Sequence, residues 1–117
     1  MTDPAEPTDA VRTVRAAFGA YLAQDRAAAE RLLAEGYVFT SPYDDHIGKA
    51  EFLERCFPTA HRFTSHELRH VVDAGAGRVF VQYEYELAAG GRYRNVELVT
   101  VRDGRLVETE VFFGGRV

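Results

Sequence analysis

Residues 78–113 read RVFVQYEYELAAGGRYRNVELVTVRDGRLVETEVFF, and the period of this stretch decides the fold. Side chains alternate in type through Tyr83-Glu84-Tyr85-Glu86 and again through Glu108-Thr109-Glu110-Val111, the two-residue period of a strand. Gly90-Gly91 and Asp103-Gly104 interrupt the alternation, and Asp-Gly between alternating runs is among the strongest hairpin signals. Gly75 and Gly77 mark one more turn upstream, so four strands are expected over 62–73, 78–88, 92–102 and 105–113. Successive strands joined by such short turns pair antiparallel.

Upstream of this meander the period is helical. Val11, Val14, Phe18, Tyr21 and Leu22 follow a cap at Thr8 or Asp9, and their run ends near Gln24. Asp25 is expected to cap a second helix, with Ala28, Ala29, Leu32 and Leu33 as its apolar stripe and Gly36 as its stop. Tyr37-Val38-Phe39-Thr40 reads as a short strand, and Ser41-Pro42-Tyr43-Asp44-Asp45 as a loop. Lys49–Phe57 reads as a third helix with Phe52, Leu53, Cys56 and Phe57 on one side, ended by Pro58. Helices followed by a run of strands make an α+β fold in which the helices cover one sheet face.

Composition narrows the function. The 117 residues, 46% of them hydrophobic, suffice for one core, so 9–117 are expected to form a single domain. Residues 1–8, with two prolines and two acids, are expected to be a disordered tail. The net charge of -4, with basic residues scattered among acids, argues against nucleic acid. No apolar run approaches the roughly 20 residues that span a bilayer, and the N-terminus lacks a signal-peptide pattern, so no membrane partner and a cytoplasmic location are expected. The single cysteine, Cys56, forms no intramolecular disulfide, which fits a reducing compartment.

The order of elements, with Phe39-Thr40-Ser41-Pro42 after the second helix and Phe112-Phe113-Gly114 at the end of the last strand, resembles the nuclear transport factor 2-like superfamily. The resemblance covers residues 9–115 and is nearest the SnoaL-like and ketosteroid-isomerase-like branch. It implies three helices on a curved, mixed and mainly antiparallel sheet, a cystatin-like α+β roll with a conical pocket. It also implies a homodimer through the open sheet face. The superfamily holds isomerases, dehydratases, epoxide hydrolases, polyketide cyclases and binding modules, so the fold alone selects no reaction.

Ketosteroid isomerases use an aspartate just before a proline as base, with a helix-one tyrosine and a protonated strand acid as oxyanion donors. The resemblance carries these roles to Ser41, Phe18 and Glu97; a slip of one turn would bring Tyr21 in place of Phe18. Serine supplies no carboxylate and phenylalanine no hydroxyl, so Glu97 alone retains its role. By the same resemblance Thr109, Val111 and Phe113 point inward, and the pocket wall is expected to include Phe18, Tyr21, Leu22, Phe39, Ser41, His46, Phe52, Phe57, Asn95 and Val99.

Glu97 lies in Asn95-Val96-Glu97-Leu98-Val99, where desolvation would raise its pKa and suit it to general acid or base work. Its bland alternative is a structural acid paired with an arginine such as Arg92 or Arg94, or one facing a dimer partner. Asp44 or Asp45 could take over the missing base, or simply cap a turn; His46 beside them could shuttle protons or lie exposed. Tyr83, Tyr85 and Tyr93 line either the pocket or a dimer interface. His66 and His70 share a strand face but stand roughly 13 Å apart, so no metal is expected. Cys56 reads as a small hydrophobe, Ser41 lacks a recognisable triad, and Gly75-Ala76-Gly77 reads as a turn with no following helix to hold phosphate.

These readings converge on a cofactor-independent proton-transfer enzyme, an isomerase, dehydratase or cyclase, acting on a small apolar molecule with oxygen functions. The alternative is a non-catalytic ligand-binding or dimerisation module. An epoxide hydrolase ranks lower, because no aspartate-arginine-aspartate group is evident on the strands.

Overall fold

Thr8 opens the described chain, residues 8–117 of a computed structural model, and its hydroxyl accepts the Val11 N–H at 3.3 Å to cap α1, Asp9–Ala23. Of the expected tail, residues 1–7 lie outside the described residues. The helix stops because Gln24 takes the left-handed conformation at φ 54°, with its own N–H and that of Asp25 turning back to the Tyr21 and Ala20 carbonyls. The Asp25 carboxylate then caps α2, Arg26–Leu32, by accepting the Ala28 N–H at 3.1 Å.

The second helix is shorter than its apolar stripe suggests. Leu33 leaves it to pair with Leu106, so β1 spans Leu33–Thr40 and Gly36 lies inside a strand instead of ending a helix. Burial of Leu33 against the last strand outweighs one more helical turn, a tertiary gain that local propensity does not register. A two-residue strand, β2 at Ile47–Gly48, precedes α3, Lys49–Arg55. Phe57 falls beyond α3 in a 3-10 turn, Phe57–Arg62, where Pro58 kinks the chain.

The remaining strands are β3, Phe63–Gly75, β4, Arg78–Leu87, β5, Arg92–Arg102, and β6, Arg105–Arg116. They form one sheet in the order β2-β1-β6-β5-β4-β3. Neighbours are antiparallel except β1 and β6, which run parallel because the whole chain from β2 to β5 separates them. The sheet is mixed and does not close on itself. Gly77 is required in the β3–β4 turn: its φ is +76°, and a Cβ there would come 2.3 Å from the Val101 carbonyl oxygen.

The helices cover one sheet face. Val79, Val81 and Val99 of the sheet and Val14 of α1 meet there, all of them fully buried. On the outer face, Arg69, Arg92 and Arg94 converge on Glu84 and hold its carboxyl below the usual carboxylate range, the Arg92 hydrogen bond most of all. A β-bulge between Leu68 and His70 permits this arrangement. It inserts Arg69 and reverses the parity of β3, so His66 and His70 lie on opposite faces, not on the shared face their spacing suggests.

Candidate functional site

A cavity of about 990 Å³ lies between the helices and the inner sheet face. Register puts Glu97 on its wall. Glu97 pairs with Val81 on one side and Val111 on the other, with Asn95 and Val99 two residues away along the same face. Glu97 lines the cavity as a half-buried residue, and its surroundings are apolar enough to push its pKa up to about 7. Desolvation causes the rise, and a hydrogen bond from Tyr83 opposes it.

That bond belongs to a directed chain. The Asn95 amide donates to the Tyr83 hydroxyl at 3.3 Å, and the hydroxyl donates to Glu97 Oε2 at 2.7 Å. Asn95 and Tyr83 face each other across β4 and β5, which sets the geometry without a loop. Neither Arg92 nor Arg94 reaches Glu97, because both lie on the opposite face with Glu84.

Aromatic rings form one wall. His66 stacks on Tyr83 with ring centroids 4.8 Å apart, and Phe18, Phe63 and Tyr85 surround it. Burial among these rings lowers the His66 pKa below its ordinary value. Tyr21 also lines the cavity, hydrogen-bonded to Thr59 at 2.7 Å. Since the Thr59 hydroxyl donates to the Cys56 carbonyl, the Tyr21 hydroxyl is the donor between them.

The rim is built by the loop after β1. Ser41 Oγ accepts the N–H groups of Tyr43 and Asp44 and donates to Asp44 Oδ2 at 3.1 Å, so this hydroxyl is committed to the turn. Asp44 lines the cavity and pairs with Arg55 at 3.3 Å. Cys56 touches the same carboxylate at 3.9 Å, and desolvation pushes its thiol up to about 11, which is unsuited to a nucleophile at neutral pH.

Most of the expected wall is therefore assembled: Phe18, Tyr21, Phe39, Ser41, Phe52, Phe57, Asn95, Val99, Thr109, Val111 and Phe113 line the cavity with Glu97 and Asp44. Three expected residues are not among the lining. Asp45 is 95% exposed and, among the described residues, its carboxylate meets only His46, which is itself two-thirds exposed. Leu22 is 42% exposed, turned about 100° around α1 from Tyr21. Among the described residues no group of three or more His, Cys, Asp or Glu could hold a metal ion.

The main omission from the sequence reading is His66, weighed there only as a metal ligand. Tyr93, left open between pocket and dimer interface, shares the parity of Asn95 and Glu97 on β5, a signal that places it on the cavity side once Glu97 is taken to face inward. Tyr83 and Tyr85 required the β4–β5 register, which places them on the cavity side and resolves the choice between pocket and outer face.

A helical layer on an open, mixed six-stranded sheet is the nuclear transport factor 2-like fold. The chain belongs within it to the SnoaL-like domain family, whose sequence profile matches residues 14–109. An NTF2-like protein of unknown function from Mesorhizobium loti is 25% identical, with 94% of this chain and 98% of that one covered and a TM-score of 0.78. A ketosteroid isomerase candidate from Kribbella flavida superposes with a TM-score of 0.78 at 19% identity, over 92% of this chain and 78% of that one. An LEH-like epoxide hydrolase of M. tuberculosis does so at 0.73 and 16%, over 90% and 82%. No curated protein matches the chain with significance. No helix among the described residues is long and apolar enough to cross a membrane.

Proposed function

We propose that this protein is a cofactor-independent proton-transfer enzyme of the isomerase, dehydratase or cyclase type, with Glu97 as its acid and base. The observation that carries the reading is a cavity carboxyl whose pKa lies near 7, held by a tyrosine that is itself held by an asparagine. A group titrating near the working pH is present in both forms and can take and return a proton in one cycle. The substrate class is a small, mainly apolar molecule with oxygen functions, matched to walls of Phe18, Phe39, Phe52 and Phe57 around one acid. Asp44 is a weaker candidate base, because Ser41 and Arg55 already engage it.

A panel of cyclic ketones and enones, assayed for proton exchange and isomerisation, tests this. Glu97→Gln is expected to lower turnover by about 10²–10⁴-fold. Turnover unaffected by the change, with the protein folded, would sink the proposal.

A non-catalytic binding module is the second reading, favoured by Ser41, whose hydroxyl is committed to the turn where isomerases carry their base. An epoxide hydrolase finds less support, since Arg92 and Arg94 pair with Glu84 on the far face. The same open face suits a homodimer: Val72, Phe80 and Phe112 are more than 40% exposed there, Phe80 pairs with Val72 and Leu98, and Val96 pairs with Phe112.

A further inference from the structure

Proton abstraction next to a carbonyl leaves negative charge on oxygen, and a site that performs it must aim a hydrogen-bond donor at that oxygen. Three tyrosine hydroxyls of the cavity wall already have partners. Tyr83 donates to Glu97 itself, Tyr21 donates to Thr59, and Tyr37 is hydrogen-bonded to Thr109. His66 is different. It lines the same cavity and stacks on Tyr83 at 4.8 Å, beside the tyrosine that holds Glu97.

The two ring nitrogens of His66 have unequal surroundings. Among the described residues Nδ1 is buried with no hydrogen-bond partner, whereas Nε2 is not among the buried, unpartnered atoms, and the ring it belongs to lines the cavity. A proton on Nδ1 would bury an N–H without an acceptor; a proton on Nε2 leaves only an unused lone pair at Nδ1. Orphaned buried N–H groups are the rarer and costlier case, so the neutral ring carries its proton on Nε2. Protonating both nitrogens would create the same orphan, which holds the ring neutral, as its aromatic burial also does.

We infer that His66 is a further catalytic residue, a neutral imidazole that donates its Nε2–H to the carbonyl oxygen of the substrate while Glu97 removes the adjacent proton. This inference rests on the proton-transfer reading and narrows the substrate to a carbonyl compound bearing a C–H beside the carbonyl. In the step, the C–H bond breaks, its proton forms an O–H bond on Glu97, and its electron pair moves through carbon to the oxygen as an enolate. The Nε2–H proton stays on His66 throughout, and Glu97 then returns its proton to carbon. No other reactant is needed.

Binding of 2-naphthol, an enol analogue, and of naphthalene, which lacks the oxygen, tests the assignment; the chain has no tryptophan to obscure naphthol fluorescence. His66→Phe keeps a ring on Tyr83 and removes the donor, while His66→Gln places an amide N–H near the position of Nε2. Naphthol affinity is expected to fall about tenfold in His66→Phe and to recover to within about twofold in His66→Gln, with naphthalene affinity changed less than about twofold. Imidazole ¹⁵N shifts at pH 7 are expected to report the Nε2–H tautomer. Equal weakening of both probes, unchanged naphthol affinity in His66→Phe, no naphthol binding by the unaltered protein, or an Nδ1–H tautomer would overturn the inference. Failure of the Glu97 reading leaves the naphthol difference standing, and failure of the His66 assignment leaves the Glu97→Gln loss of turnover standing.

Discussion

Tyr83 gives its only proton to Glu97: the hydroxyl lies 2.7 Å from Oε2 and accepts from the Asn95 amide at 3.3 Å. This bond favours the ionised carboxylate and opposes the desolvation that raises its pKa. Tyr83→Phe therefore removes the opposing influence while keeping a ring under His66. The Glu97 pKa, followed by carboxyl ¹³C shifts, is expected to rise by about one unit from near 7, and the ascending limb of any pH–rate profile should move with it.

Glu97 also makes stability depend on pH in an unusual direction for a carboxylate. Its pKa is raised from 4.5 to about 7 in the fold, so between those values the native state binds more protons than the unfolded chain. Stability then falls as pH rises through that window; the cost is absent below it and complete above it. Glu97→Gln removes a penalty of about 3 kcal/mol at pH 8 and changes little at pH 4. Paired melting curves at the two pH values check this, and the lowered His66 pKa cancels because both proteins carry it.

The outer sheet face leads to an oligomeric prediction. Phe80 is 43% and Phe112 51% exposed on that face, where a second copy of the chain would cover them. Sedimentation is expected to give twice the chain mass for the unaltered protein and the single chain mass for Phe80→Glu with Phe112→Glu. A monomer at all concentrations would refute the homodimer.

Legibility differed sharply between levels of structure. The four strands lie within a few residues of their expected ends, because Gly75, Gly77, Gly90, Gly91, Asp103 and Gly104 are local signals that need no tertiary context. Both Thr8 and Asp25 cap helices for the same reason. The end of α2 was misplaced, since Leu33 is drawn out of the helix by a strand more than 70 positions later. Asp45, His46 and Leu22 were misassigned to the cavity because neighbours in sequence, Asp44 and Tyr21, do point there.

Alternation and turn chemistry by themselves determined the α+β class, the strand order within the meander and which residues share a face with Glu97, while that this face is the inward one was implied only by the family resemblance. These are periodic properties of a single segment, and a reader of the chain can count them. Only the tertiary structure decided what Glu97 faces. Pairing with Val81 and Val111 desolvates it, Tyr83 and Asn95 hold it from the neighbouring register, and the bulge at Arg69 leaves His66 on the cavity face and His70 on the other. Chemistry in this protein depends on which strands become neighbours, and pairing across the sheet is set by burial of the whole core rather than by any one stretch of sequence.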